Sequence, residues 1–352
     1  MDIKNPEAGG AEVFTHEIAK RLVERGHEVT LFTRNFKGAE PLEILDGVQI
    51  VRGGGKYTVY RFARQYYKKN FRGKADVVID EINTRPFMTV KFTEEPVIAI
   101  IHQLAREYWF YETPPPINYI GYHILENRWL RNYVEVPTIT VSESTRQDLL
   151  ELGFNEVFVV PEGLNFTPLD EVPEKESHPV IAYVGRLTKA KRPDHAIKAF
   201  KIVNEKVPAA ELWIIGDGYF RNDLEKISNG MVRFYGSLSD IGRRELVKRA
   251  WVLVNPSVRE GFGLNVIEAN ALGTPCIAYD VAGLRDSVKD NETGFLVKAG
   301  SIENLADKIV VFLKDGLLRE KLSRNALKHS RGYHWDESAD AFLKAIEHVT
   351  CL

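Results

Sequence analysis

Cysteine is scarce: 352 residues hold two, Cys276 and Cys351, too few for a disulfide framework or a zinc ligand set. No apolar run approaches the roughly 18 residues of a membrane-spanning helix, and no charged-then-apolar leader opens the chain at Met1. Neither charge sign is in excess. The 47 Lys and Arg stand against 49 Asp and Glu, a net −2, so the global field of a dedicated nucleic-acid binder is absent and any polyanion contact must be local. Low-complexity tracts and repeats of about 20–50 residues are missing as well. These absences leave a soluble protein, expected in the cytoplasm, with no nucleic-acid partner.

With 44% hydrophobic and 27% charged residues, the chain has a globular composition, and its length suits two domains of roughly 100–200 residues, each with a core. Apolar β-branched runs alternate with segments of helical period, the pattern of parallel α/β folding and not of hairpins or sandwiches. It occurs twice. Strands are predicted at 27–34, 48–52, 76–81, 97–102, 138–142 and 156–161, then at 180–186, 211–216, 232–236, 251–255, 275–279 and 295–297, with helices such as 193–205 and 302–313. Residues 165–179, with three prolines, read as the linker.

The expected fold is α/β: two Rossmann-like doubly wound domains, 1–166 and 167–334, facing across a cleft. A helix within 335–352 carries Trp335, Phe342, Leu343 and Ile346 at core-facing spacing and is expected to cross back to the first domain. Ligands in such sheets sit at the carboxyl ends of the strands. Only residues 1–8 precede the first glycine loop, too short and too polar for the buried strand that opens a doubly wound domain. Either the chain begins late or the sheet lacks a central strand, and the first explanation is preferred.

The most specific segment is Asn255-Pro-Ser-Val-Arg-Glu-Gly-Phe-Gly-Leu-Asn-Val-Ile-Glu268. It runs from a strand through a turn with Gly261 and Gly263 into a helix, so backbone can approach a ligand and free N–H groups can face a phosphate. Glu260 in the turn and Glu268 in the helix can each accept a pair of hydroxyl hydrogen bonds, as vicinal diols offer. That suits a sugar nucleotide better than a polar helix end with solvated glutamates. After the strand at Val180 comes Gly185-Arg-Leu-Thr-Lys-Ala-Lys191, where Arg186 and Lys191 flank a strand-to-helix loop and can stabilise a diphosphate without a metal. A solvated basic loop is the plainer reading. No Asp-x-Asp ends a strand, and Asp290-Asn-Glu292 before Gly294 reads as a turn.

These motifs resemble the GT-B-fold retaining glycosyltransferases of family 4. Gly185–Lys191, Gly216-Asp-Gly218 and the Glu-x7-Glu spacing of Glu260 and Glu268 stand in the family's order, and Gly9-Gly-Ala-Glu12 is similar to its N-terminal glycine loop. Thr140-Val-Ser-Glu-Ser-Thr145 is similar to its last N-terminal strand, so the likeness covers nearly the whole chain. Where members commonly carry Asn-Gly-Ile/Val-Asp, this chain has Glu162-Gly-Leu-Asn165.

The resemblance implies that Arg186 and Lys191 hold the donor diphosphate, Glu260 binds the transferred sugar and Glu268 takes the ribose hydroxyls. Backbone at Gly216 and Gly236 would line the base pocket, and amides of Gly261, Phe262, Gly263 and Leu264 would face the phosphates. Gly9 and Gly10 would approach the diphosphate from the first domain, and His102 matches a histidine near the reacting carbon. A strand-end polar residue with no such role is the alternative for His102. The implied activity moves a hexose from a nucleoside diphosphate sugar to a glycan or lipid-linked acceptor with retention, using neither metal nor other cofactor. No carboxylate pair can be assigned as nucleophile and acid in the glycosidase manner. A sugar-nucleotide epimerase or phosphorylase-like protein of this fold, and a non-catalytic sugar-nucleotide-binding scaffold, stay open as alternatives.

Residues 56–74 hold seven Lys or Arg, six Tyr or Phe and no acid. On a helical wheel Val59, Tyr60, Phe62, Ala63, Tyr66, Tyr67 and Phe71 share one face, and Arg61, Arg64, Lys68, Lys69 and Arg72 share the other. Such a helix suits an anionic membrane surface or a lipid-phosphate acceptor, or is an ordinary helix with a solvated basic face.

Overall fold

The computed structural model describes residues 1–228 and 230–350, which divide into two compact units. The first takes in Met1–Ala105, His123–Gly163 and the chain from His334 onward, and the second Arg106–Tyr122 and Leu164–Tyr333. Residues Arg106–Tyr122, placed by the sequence reading in the first domain, cluster with the second because Glu107, Tyr108, Tyr111 and Glu112 hydrogen-bond to its loops.

In the first unit, β1 (Thr30–Thr33), β2 (Leu42–Leu45) and β3 (Val48–Arg52) form one sheet in the order β1-β3-β2. A second sheet runs β4 (Val78–Glu81), β5 (Val97–Ile100), β6 (Thr138–Thr140), β7 (Val157–Val159), all parallel. β2 was not foreseen. It pairs antiparallel with β3 across a two-residue turn in which Asp46 and Gly47 take φ of 50° and 78°, the Asp-Gly hairpin geometry, so the unit is not free of hairpins. The helix Gly10–Glu24 packs on β3, with Ala19 against Val48 and Ile50, and reaches the chain just after β5, where the Phe14 ring stands edge-on to His102 at 5.1 Å. Phe14 also meets Trp335 and Phe342 of the last helix, Trp335–Thr350.

The helix Val59–Asn70 buries only Val59 and Tyr67. Phe62, expected on its apolar face, is 47% exposed.

In the second unit, β8 (Val180–Val184), β9 (Glu211–Ile215), β10 (Val232–Gly236), β11 (Val252–Asn255), β12 (Cys276–Tyr279) and β13 (Gly294–Val297) form one parallel sheet, ordered β10-β9-β8-β11-β12-β13. Side chains alternate between two cores, Ile181, Tyr183, Leu212, Ile214 and Val254 on one face and Val180, Ala182, Trp213, Ile215 and Leu253 on the other. Burial on both faces is why β8, β11 and β12 read as apolar runs, whereas the edge strand β10 exposes Arg233. The chain order reverses between β8 and β11, and the crevice beyond the carboxyl ends at such a switch point is where ligands bind.

Candidate active site

The loops that leave β8 and β11 are pinned together by amide side chains. Asn265 Nδ2 donates to the Val184 carbonyl at 2.8 Å, Asn255 Nδ2 donates to Asn265 Oδ1 at 3.3 Å, and Asn255 Oδ1 accepts from the Ser257 amide at 3.1 Å. Tyr183, buried under the β8 loop, has its hydroxyl 3.4 Å from the carbonyl oxygens of both Arg186 and Lys191. That contact draws the two ends of the basic loop together.

Within this frame the Glu260 carboxylate accepts from Ser257 Oγ at 2.8 Å and from Lys191 Nζ at 2.5 Å, a charge-assisted pair. Burial alone would push the Lys191 ammonium down, but Glu260 beside it carries it above the ordinary lysine value, against the opposing charge of Arg186. Arg186 is exposed and, among the described residues, makes no ion pair. Two cations thus converge at the switch point, one anchored and one with its guanidinium open to solvent. The Glu260 backbone is fixed too: its amide donates to the Ala282 carbonyl at 3.1 Å, and a Cβ on Gly283, where φ is +80°, would fall 2.3 Å from the Glu260 carbonyl oxygen.

Gly263 takes φ of +95° and caps the helix Leu264–Ala271, with Phe262 buried against Tyr333 at 5.5 Å between rings. Glu268 lies one turn into that helix and belongs to a different cluster. Its Oε1 accepts from Arg243 at 3.2 Å and its Oε2 forms an ion pair with the same guanidinium at 3.1 Å, and burial raises its carboxyl above the ordinary value although Arg243 opposes this. Gly216 donates to the Gly236 carbonyl at 2.9 Å, and a Cβ on it would sit 2.0 Å from the Gly185 carbonyl. The β9 loop therefore packs onto the β8 loop with no room for a side chain.

Sequence reasoning missed Arg243, Ser257, Asn255 and Asn265. The last three lie inside or beside the quoted motif and could have been noticed as polar residues at a strand end. Arg243 comes from a separate helix, and no sequence spacing points to it.

In the first unit, His102 follows β5 and its Nε2 lies 3.3 Å from Glu81 Oε1 at the end of β4. Burial disfavours the imidazolium, yet Glu81, then Glu162 and Glu12, outweigh it and raise the histidine above its usual value, while Glu81 is lowered. The Gly9 amide donates to Glu12 Oε2 at 2.8 Å, and the nearest atom to a Cβ on Gly10 is Glu162 Oε1 at 3.8 Å. So Gly9, Gly10 and His102 share one acidic neighbourhood, and Glu162, where the chain departs from the family pattern, helps to charge the histidine. Among the basic residues flanking and lining the helix Val59–Asn70, Arg61, Arg64, Lys68 and Lys69 are exposed, Arg64 over the Phe92 ring, whereas Arg72 pairs with Glu94.

Residues 8–167 match the model of glycosyltransferase family 4, and residues 168–329 match that of glycosyl transferases group 1. The D-inositol 3-phosphate glycosyltransferase of Kribbella flavida is 26% identical over 98% of this chain and 92% of its own length. The phosphatidyl-myo-inositol mannosyltransferase of Mycobacterium leprae is 29% identical over 60% of this chain, a match that spans 59% of that protein. The crystal structure of Anabaena HepE in complex with UDP-glucose superposes with a TM-score of 0.74, covering 98% of this chain and 97% of that one at 16% identity. The two family models abut and together take in residues 8–329, and on that match the chain belongs to the family 4, group 1 glycosyltransferases of GT-B fold.

Proposed function

We propose that the protein is a retaining hexosyltransferase that works without a metal, moving a hexose from a nucleoside diphosphate sugar to a glycan or lipid-linked acceptor. The observation that carries this reading is the pair of cations, Arg186 and Lys191, beside Glu260 at the switch point of the second sheet. Arg186 and Lys191 take the two phosphates and stabilise the charge that develops on the leaving diphosphate, the part a divalent cation would otherwise supply. Amides of Gly261, Phe262, Gly263 and Leu264 at the following helix start add partial positive charge. Glu260 binds the transferred sugar. Glu268, whose carboxylate has lone pairs beyond those Arg243 uses, takes the ribose diol. His102 serves the reacting sugar carbon, and backbone at Gly9, Gly10, Gly216 and Gly236 completes the donor contacts. Retention follows if the leaving phosphate oxygen itself accepts the proton of the acceptor hydroxyl, with positioning supplying the remainder of the rate.

The names of two relatives, acting on inositol phosphate and on phosphatidyl-inositol, favour an acceptor that carries a polyol and a phosphate. The exposed Arg61, Arg64, Lys68 and Lys69 suit such a phosphate or an anionic bilayer, and a peripheral place on a cytoplasmic membrane face follows from that reading. The test is thermal-shift binding of UDP, GDP, ADP and their sugar conjugates with and without EDTA, since a ligand of the folded state raises the midpoint. A shift with one base that EDTA leaves unchanged is expected. Shifts that vanish in EDTA would overturn metal independence, and no shift with any nucleotide would overturn the transferase reading.

A further inference from the structure

The segment Arg106–Tyr122 lies between β5 and β6 in the chain yet packs with the second unit, where it reaches three of that unit's loops. Arg259 Nε donates to Glu107 Oε2 at 3.0 Å, Tyr108 donates to the Arg259 carbonyl at 3.2 Å, and Arg192 donates to the Tyr111 hydroxyl at 3.2 Å. Glu112 makes the most informative contacts. Its Oε1 accepts from the buried Ala190 amide at 2.8 Å and its Oε2 from the Tyr219 hydroxyl at 2.7 Å, while the Tyr219 oxygen in turn accepts from the Lys189 amide at 3.0 Å. Among the described residues no lysine or arginine pairs with Glu112. This carboxylate is thus committed to neutral donors on two different loops.

Ala190 is held from both sides. Its carbonyl accepts from the Val258 amide at 3.0 Å, which ties the β8 loop to the loop that carries Ser257 and Glu260. The next residue is Lys191, whose ammonium meets Glu260, and the one after is Arg192, at φ +50° and ψ 42°. A non-glycine residue keeps that left-handed conformation only where its surroundings hold it, and here Tyr111 and Asp194 hold the Arg192 guanidinium.

We propose that Glu112 is a positioning residue of the donor site, fixing the Ala190 peptide and the Tyr219 loop so that Lys191 and Arg186 converge on the diphosphate. Resting on the reading of Arg186, Lys191 and Glu260 as that site, it assigns donor affinity to a side chain outside the recognised motifs. A charge-assisted hydrogen bond to a buried amide is among the stronger ones, and a displaced cation loses donor binding, read in KM and Kd, together with part of the leaving-group stabilisation, read in kcat.

The test titrates UDP, GDP and ADP into the full chain by calorimetry and measures hydrolysis of the sugar conjugate of whichever binds. It compares the unaltered protein with Glu112→Ala, Glu112→Gln, Tyr219→Phe, the double variant Glu112→Ala with Tyr219→Phe, and Lys191→Ala. Glu112→Ala is expected to raise donor KM and nucleotide Kd by about five- to tenfold, with a smaller fall in kcat and a melting midpoint lower by no more than about 2–4 °C. Glu112→Gln, which can accept from Ala190 and donate to the Tyr219 oxygen, is expected to restore most of the loss, and the double variant to bind no worse than Glu112→Ala. Unchanged affinity in Glu112→Ala, beside a clear loss in Lys191→Ala, overturns the role of Glu112 and leaves the donor site standing. A larger loss of melting midpoint, with kcat falling as far as affinity and no rescue by Gln, also overturns it, since that is the mark of a general support of the fold. Undiminished binding by Lys191→Ala overturns the donor-site reading, and the proposal with it.

Discussion

Glu260 and Glu268 stand eight residues apart in one motif but are held by different partners, and the difference separates their expected effects. Glu260 is paired with Lys191 and Ser257 in the loop, whereas Glu268 is paired with Arg243 on another helix. Removing Glu260 frees the Lys191 ammonium, so nucleoside diphosphate affinity should hold while turnover falls by about two orders of magnitude. Removing Glu268 takes away a diol acceptor and leaves Arg243 to Asp240 alone, so nucleotide Kd should rise about tenfold with a smaller change in turnover. Calorimetry with the diphosphate and saturating-donor kinetics on the two alanine variants check this. Equal loss of affinity from both changes would contradict the assignment. His102 offers a test by pH. Its pKa is raised above 6.5, so its stabilising contribution is complete below that value and is lost as pH rises through the folded pKa. Glu81 is lowered from 4.5, so its share is complete above 4.5 and is lost as pH falls through its lower folded value. The melting difference between the unaltered protein and His102→Asn should therefore be largest between these two ordinary values and shrink on the alkaline side. A difference that grows with alkaline pH would show that His102 is held neutral.

Among the elements, those of the second unit were the most legible. Strands buried on both faces read as apolar runs, and β8, β11 and β12 announce themselves so, ending where Gly185, Pro256 and Asp280 begin the loops. β2 escaped because Leu42, Glu43, Ile44 and Leu45 lie on an edge, with Ile44 73% exposed, and so lack that signature. The Asp46-Gly47 pair was the signal to weigh. The cationic loop and the Glu260 turn were legible for the same reason as the strands, since both are local. Arg243 and Glu112 were not, because each reaches the site from a distant part of the chain. Lys175 in the linker is a third case. Its ammonium is buried and donates to the Lys248 carbonyl at 2.9 Å, Thr274 Oγ1 at 2.8 Å and the Leu272 carbonyl at 3.3 Å, closing the ends of two helices. Burial pushes its pKa down from 10.5 to about 7. Between those values the unfolded chain binds the proton more tightly than the folded one, so this group makes stability rise with pH by about 1.4 kcal/mol per unit. Lys175→Met should lack that part of the slope. Urea unfolding of both proteins from neutral to alkaline pH measures it, and parallel curves would mean that the lysine stays charged in the folded protein.

The two units are built on the same principle but differ in completeness, and this sets how stability is distributed through the molecule. In the second, β8 lies between β9 and β11 and every one of its residues is buried. Its amides alternate between two neighbours, so each finds a partner. In the first, among the described residues, β1 pairs only with β3, and β4 only with β5. The Gln49 amide donates to the Val29 carbonyl and the Gly53 amide to the Thr33 carbonyl. By the alternation of a parallel ladder, Leu31 then bonds to β3 while the amides of Thr30 and Phe32 point to the open edge. The same reasoning at β4, where the Val78 and Ile82 amides donate to Pro96 and Ile100, turns Asp80 toward β5 and Ile79 and Glu81 away from it. Ile79 is 37% exposed, unlike any residue of β8. A strand with one neighbour keeps half its amides out of the ladder, and exchange protection follows hydrogen bonding and burial. In amide hydrogen exchange followed residue by residue, Ile181, Ala182 and Tyr183 should form one slow block. Across β1 and β4 the rates should alternate, Leu31 and Asp80 slow, Thr30, Phe32, Ile79 and Glu81 faster by about two orders of magnitude or more. Uniform protection along β1 and β4 would mean that their outer edges are paired in solution, and the first unit would then match the second in the continuity of its sheet.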